Sequence, residues 1–256
     1  MNFHSSFRWE AGTDPGNRPQ NEDRLILMPE YGFFAVCDGM GGFSGGEAAA
    51  ELVKLHFEER IAALSEPSSH AAAGRLLRRE IRCFSAAMQK VSCEAGLQFG
   101  ATMCALWLVG ERAVFANIGD SRAYGLHSTL TQITRDHSIA GILVEQGEIT
   151  KDEARTHPAA SRLLRYIGMD GAAKADVFFG RVRPGDILLL CSDGLSAMVG
   201  DDELAGILAG MQDLEAGITA LIGAANRNGG KDNISAVLVR IDNKSYNSED
   251  AADGNH

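Results

Sequence analysis

Short apolar runs in this 256-residue chain repeatedly stop at, or start from, an aspartate. Gly32 to Cys37 runs into Asp38-Gly39, Arg112 to Ile118 into Gly119-Asp120-Ser121, and Asp186 to Cys191 into Ser192-Asp193-Gly194. Lys231-Asp232-Asn233 leads into Ile234 to Ile241, and Asn21-Glu22-Asp23 leads into Leu25 to Met28. Rich in β-branched and aromatic residues and bounded by Gly or Asp, the runs read as strands, as does Ala101 to Val109. Val109-Gly110-Glu111-Arg112 reads as a hairpin turn, with Ser121 to Leu126 and Leu130 to Ile133 continuing a meander.

Helical spacing appears elsewhere. Val53, Phe57, Ile61 and Leu64 form one apolar stripe, and Leu77, Ile81, Phe84, Met88 and Val91 a second. Leu214, Ile218, Leu221 and Ala225 form a third, ending at Asn228-Gly229-Gly230, where glycine suits the left-handed end of a helix. Strands that group into hairpins, with helices between the groups, favour a layered α+β fold over a doubly wound one. No internal repeat is visible.

Composition narrows the function. The net charge of −10 disfavours a nucleic-acid partner, because an acidic surface repels phosphate backbones. No apolar run approaches the ~20 residues of a membrane helix, and the N-terminus lacks the apolar core of a signal peptide. The five cysteines (Cys37, Cys83, Cys93, Cys104, Cys191) show no CxxC spacing and read as reduced thiols, so a cytoplasmic location without membrane insertion is expected. Ala140 to Gly171, which contains GEITKDEARTHPAAS, is less apolar and reads as a mobile surface subdomain near the site. The domain expected is 1–241, followed by a polar, disordered tail over 242–256.

Any single Asp-Gly here reads as a turn. Five acidic clusters at strand ends mean something more, because the strand ends of a sandwich converge on one rim. Carboxylates gathered there repel unless cations neutralise them. Without His or Cys beside them they select hard ions, Mg²⁺, Mn²⁺ or Ca²⁺, rather than Zn²⁺. Two such ions activate water and clamp an in-line displacement at phosphorus. Arg18, just upstream of Glu22 and Asp23, has the donor fork that suits a phosphate dianion, although alone it reads as a surface arginine. Asp38 to Glu47 is glycine-rich but is not GxxxxGK[ST], which excludes a P-loop. Its glycines permit tight turns and close approach to ions, including a carbonyl ligand at Gly39, and Gly45-Gly46-Glu47 opens the first long helix.

The blocks RPQNED, VCDGMGGFSGGEAA, FGAT, ANIGDSRAY, DHS, HPAASRLLR, PGDILLLCSDGL and GGKDNISAVLV, in this order, resemble the signature blocks of the bacterial type 2C (metal-dependent) protein serine/threonine phosphatases. The resemblance runs from about Thr13 to Arg240. It implies a central β-sandwich of two antiparallel sheets flanked by helix pairs, with two Mn²⁺ or Mg²⁺ ions at one end. It implies that Asp38 bridges the ions, that the Gly39 carbonyl, Asp193 and Asp232 are further ligands, and that Asp120 holds a third, weaker ion. Glu22 and Asp23 would act through metal-bound waters, Asn233 would orient Asp232, Arg18 would bind phosphate, and Ala140 to Gly171 would be the flap linked to substrate choice. One departure stands out: Met40 and Phe43 occupy positions where relatives carry histidine. His137 and His157 are the remaining candidates for a general acid, with flap or structural roles as the plainer reading.

The function so implied is hydrolysis of phosphoserine and phosphothreonine in proteins by a metal-bridging hydroxide, with no phosphoenzyme, by a monomer that opposes a bacterial Ser/Thr kinase, with type VI secretion control as one setting. The alternatives are a non-catalytic docking module, a stress-response phosphatase acting on an anti-sigma-antagonist, and a two-metal nuclease that the acidic balance disfavours.

Overall fold

The computed structural model describes residues 6–41, 45–64 and 66–242; the expected disordered tail, apart from Asp242, and Phe43 lie outside them. The chain opens with β1 (Phe7–Asp14), β2 (Asp23–Met28) and β3 (Phe33–Gly41), then α1 (Gly45–Ala63) and α2 (His70–Ala95). There follow β4 (Phe99–Ala101), β5 (Met103–Val109), β6 (Arg112–Ile118), β7 (Arg122–Leu126) and β8 (Leu130–Gln132). Helices α3 (Ile139–Glu145) and α4 (Lys151–Thr156) lead to β9 (Asp176–Arg181), β10 (Ile187–Cys191) and α5 (Asp193–Ser196). The described chain closes with α6 (Asp201–Gly210), α7 (Leu214–Arg227) and β11 (Ile234–Ile241).

The strands form two antiparallel sheets, ordered β1-β11-β10-β7-β8 and β2-β3-β5-β6-β9, with β4 paired to β3. Strand alternation sorts the apolar residues into three cores. Phe34 and Val36 of β3 and Leu188 and Leu190 of β10 meet between the sheets. The intervening Phe33, Ala35 and Cys37 face α1 and α2, while Leu189 and Cys191 face α5, α6 and α7. Burial on both faces explains why these central strands read as unbroken apolar runs rather than alternating ones. The order helix, sheet, sheet, helix is the sandwich that the resemblance implied.

Most expected elements stand where the sequence put them. Val109 and Arg112 pair across a two-residue turn with Gly110 at φ 60. The stripes of α1 and α7 are turned inward, but Val91 of α2 is 53% exposed because the buried face of the helix passes from Met88 to Ser92. The run Ala101 to Val109 is interrupted at Thr102. There the backbone N–H donates to the Asp38 carbonyl at 2.8 Å, and the hydroxyl accepts the Asp38 N–H at 3.1 Å. All five cysteines are free, with Cys37, Cys104 and Cys191 buried.

The inter-sheet core is closed at one edge by aromatic contacts of fully buried Phe34 with Phe7 and Trp9, at ring separations of 5.8 and 5.7 Å. Phe34→Ala is expected to cost about 3–5 kcal/mol of stability, read as a lowered urea midpoint with an unchanged slope.

Candidate metal centre

The rim where strands of both sheets end carries the acidic residues. Antiparallel register sets Asp23, the first residue of β2, opposite Asp38 near the end of β3. Asp120 lies in the turn between β6 and β7, Asp193 begins α5 directly after β10, and Asp232 ends the turn from α7 into β11. One carboxylate oxygen from each of Asp38, Asp120 and Asp193 can be chosen so that all lie within 4.8 Å of one another. With Arg18, Glu22, Gly39, Met40, Asp232 and Asn233 these residues line a cleft of about 330 Å³.

Close approach of the backbone brings them together. A Cβ on Gly39 would fall 2.0 Å from the Gly46 carbonyl oxygen, so glycine lets α1 sit directly on the end of β3. A Cβ on Gly194 would fall 2.0 Å from the Asn233 carbonyl oxygen, so glycine brings Asp193 up to Asp232. Gly119 holds φ 116 against Thr102, and the Thr102 hydroxyl is hydrogen-bonded to that of Ser121 at 2.7 Å, which ties the Asp120 turn to Asp38.

Asn233 does more than orient its neighbour. Its N–H donates to Asp232 Oδ1 at 2.9 Å. Its side-chain amide donates to the carbonyls of Pro15 (3.0 Å) and Gln20 (2.8 Å), and its Oδ1 accepts the Glu22 N–H at 2.8 Å. The loop carrying Arg18 is thus fastened to the turn carrying Asp232. Arg18 donates from Nη2 to Asp232 Oδ2 at 2.9 Å and from Nε to the Lys231 carbonyl at 3.0 Å.

The electrostatics are strained in a way a cation relieves. Two unit charges ~4 Å apart repel by about 4 kcal/mol at an effective dielectric constant of ~20. Burial, then repulsion from neighbouring aspartates, pushes the carboxyls of Asp38 and Asp120 well above the usual range. Burial pushes Asp23 up to about 7, although its Oδ2 accepts the Ser192 hydroxyl at 2.7 Å. Asp193 is pushed up to about 6, again by burial and then by Asp232. Asp23 Oδ1 and Asp193 Oδ1 are buried with no hydrogen-bond partner. An all-oxygen donor set with orphaned oxygens and excess negative charge fits a hard divalent cation.

The histidines stand apart. His137 is buried, its Nδ1 accepting the Gly119 N–H at 3.2 Å and its Nε2 3.2 Å from Asp176 Oδ2, so it props the Asp120 turn from behind. His157 Nδ1 accepts the Ala159 N–H at 3.1 Å. Neither lines the cleft. Sequence reasoning passed over Thr102, Ser121 and Ser192, although FGAT, GDSRA and CSDG carry them. It also passed over Ser161 and Leu163, which bring the Ala140 to Gly171 segment to the cleft edge. That segment is pinned by a bridge between Ser138 and Leu163 and by the Leu164 N–H on the His137 carbonyl at 2.7 Å.

Known proteins share the sequence pattern and the fold of this chain. The sequence profile of the Protein phosphatase 2C family matches residues 20–238. Serine/threonine phosphatase stp of Listeria welshimeri is 35% identical over 250 residues, covering 93% of this chain and 95% of its own. PppA, described as a key regulatory component of T6SS in Pseudomonas aeruginosa, superposes with a TM-score of 0.82 at 30% identity, over 92% of this chain and 97% of its own. The catalytic domain of serine threonine protein phosphatase PstP, in complex with 2 manganese ions, gives 0.79 at 31% identity, over 93% and 99%.

A pH dependence follows from the raised carboxyls. Folded without metal, Asp23 and Asp193 hold more protons than in the unfolded chain between about pH 4 and about pH 7, so their contribution to stability falls as pH rises through that window, while His56 and His137, lowered by burial, act in the opposite sense. In chelator Asp193→Asn is expected to raise Tm more at about pH 8 than at about pH 5.5, and Mn²⁺ to raise the Tm of the unaltered chain more at the higher pH. A gain from Asp193→Asn that does not grow with pH would contradict the burial of charge described here.

Proposed function

The chain belongs to the protein phosphatase 2C family and is a metal-dependent protein serine/threonine phosphatase; we propose that the carboxylate-lined cleft is its active site, holding two Mn²⁺ or Mg²⁺ ions and a third, weaker one. The observation that carries this reading is the convergence of Asp38, Asp120 and Asp193, from three separate strand ends, with ligand atoms within 4.8 Å. Asp38, whose carboxyl is repelled by Asp23, Asp193, Asp120 and Asp232 alike, is assigned as the bridge, with the Gly39 carbonyl, Asp193 and Asp232 as further ligands and Asp120 beside Asp38 and Asp193 for the third ion. Glu22 and Asp23 are assigned to hold water around the ions. When bound, the ions would polarise a water for in-line attack on phosphorus and neutralise the phosphate charge.

The chain's own residues do the positioning. Arg18 keeps Nε on the Lys231 carbonyl, and its Nη1 has no partner among the described residues, which leaves a donor for a phosphate oxygen. Asn233 holds the Arg18 loop against the ligand turn, so phosphate and ligands share one frame. With Met40 at the cleft and both candidate histidines engaged elsewhere, the proton for the departing serine or threonine oxygen is assigned to water held in the cleft.

The substrates are assigned as phosphoserine and phosphothreonine proteins opposite a Ser/Thr kinase, with a monomeric, cytoplasmic enzyme formed by residues 1–241. No described helix is long and apolar enough to cross a membrane. The likeness to PppA supports type VI secretion control as one setting. A docking module without catalysis would have no need of so many charges held at one rim.

Asp193→Asn and Asp232→Asn are each expected to lower Mn²⁺-dependent hydrolysis of a phosphothreonine peptide by more than about 100-fold, and Asn233→Ala by about 10–100-fold, as for outer-shell partners. Circular dichroism should show all three folded. Activity retained in both aspartate variants would refute the assignment.

A further inference from the structure

On one side of the sandwich both sheets end in an edge strand, β8 in one and β9 in the other. The hydrogen-bond pattern of β9 is set by Val182, whose N–H donates to the Glu111 carbonyl at 3.1 Å. Antiparallel bonding alternates along a strand, so the N–H and C=O groups of Val177, Phe179 and Arg181 point away from β6. Among the described residues none of these groups has a hydrogen-bond partner. The edge is a template for one more strand.

The two faces beside that edge differ in chemistry. On the helix side, a Cβ on Gly74 of α2 would fall 2.8 Å from the Phe179 ring, and His70 meets the same ring at 5.5 Å. Phe179 nevertheless stays 47% exposed. The helix row that starts at Gly74 continues through Arg78 and Arg82 to Ser85 and Gln89. Ser85 accepts the Gly168 N–H at 2.9 Å, and Gln89 donates to Asp170 Oδ1 at 2.8 Å. Arg78 and Arg82 therefore stand over the flank of β9 and the segment leading into it, with Arg75 beside them. All three are exposed and have no ion pair among the described residues, in a chain of net charge −10. On the other face, a cavity of about 250 Å³ opens between β9 and the β7–β8 hairpin. Ala113, Phe115, Val182 and Leu188 give it a buried apolar floor. The charges at its rim are already matched, His127 with Asp186 at 2.6 Å and Arg181 with Glu111 at 3.2 Å. A Cβ on Gly180 would meet nothing within 4 Å, so the space beside the strand is open.

We propose that the β9 edge docks an extended segment of a partner protein in which acidic and apolar residues alternate. Side chains of an added strand point to opposite faces in turn. The acidic ones meet Arg78 and Arg82, and the apolar ones cover the cavity floor. A second copy of this chain fits poorly, because pairing β9 with β9 about a twofold axis sets one arginine strip beside the other. The docking surface is separate from the acidic rim and does not depend on the phosphatase reading. Because β9 begins at Asp176, 3.2 Å from the His137 that props the Asp120 turn, a docked segment holds its partner near that rim.

The test is fluorescence anisotropy of a labelled eight-residue peptide of alternating glutamate and valine, titrated with the full chain. Three further peptides serve as controls: the same residues in two blocks, alternating lysine and valine, and the first peptide N-methylated at every second residue. Only the unmethylated alternating acidic peptide is expected to bind. Arg78→Glu with Arg82→Glu is expected to weaken that binding about tenfold or more. Arg227→Glu with Lys231→Glu, the same charge change on another face, should leave it unchanged. Gly180→Val, whose Cβ has open space, should weaken binding by filling the mouth of the cavity while circular dichroism stays that of the unaltered chain. Absence of binding by the alternating acidic peptide would overturn the proposal. Equal binding of the block, lysine or N-methylated peptide would do the same, as would equal losses from the two charge-reversed pairs. Sedimentation that shows a dimer broken by Gly180→Val would give the edge to a second copy and overturn the proposal as well.

Discussion

Carboxylates repel, and the rim of this sandwich holds three of them with oxygens inside 4.8 Å. The surrounding architecture answers to that. Each aspartate is delivered by the end of a strand whose other residues are locked on two faces, so the repulsion cannot be relieved by letting a loop drift. Glycine stands where two backbones must nearly touch, at Gly39 against Gly46 and at Gly194 against Asn233. A side chain at either place would separate the ligand-bearing segments. The rigidity of the three cores is what holds unfavourable charge ready for a cation.

Around the acidic group, polar side chains act as fasteners. Thr102 joins Asp38 to Ser121, Ser192 joins Asp23 to β11 by accepting the Ser235 N–H at 3.0 Å, and Asn233 joins the Arg18 loop to the Asp232 turn. Arg122, buried and paired with Asp136, also donates to the Tyr124 hydroxyl at 3.1 Å. A buried pair of this kind owes its existence to position more than to stability, because desolvation offsets most of its attraction. Here it supports the turn that follows Asp120.

Much of this was legible in the amino-acid order. The central strands were visible because burial on both faces makes them uniformly apolar, and the aspartates were visible because they interrupt those runs. The edge strands were not. In β1, Phe7, Trp9 and Ala11 alternate with Arg8, Glu10 and Gly12 on a half-exposed surface, and β9 is similarly mixed. The break at Thr102 was hidden inside an apolar run, since a hydroxyl seeking a distant partner leaves no local pattern. The threefold role of Asn233 was equally out of reach, because its partners lie more than two hundred residues away.

The pairing of β1 with β11 runs from Phe7 opposite Ile241 to Asp14 opposite Ile234, and Arg8 grips Asp242 beyond its end at 2.9 Å. Among the described strands, the first to leave the ribosome thus waits for the last. Until that final segment is synthesised, the β1 edge has no neighbour and Arg18 has no Asp232 to face. Contacts of such long sequence separation fold slowly. Assembly of the acidic rim is therefore coupled to synthesis of β11, and a nascent chain released before Ile234 would carry an exposed sheet edge open to aggregation.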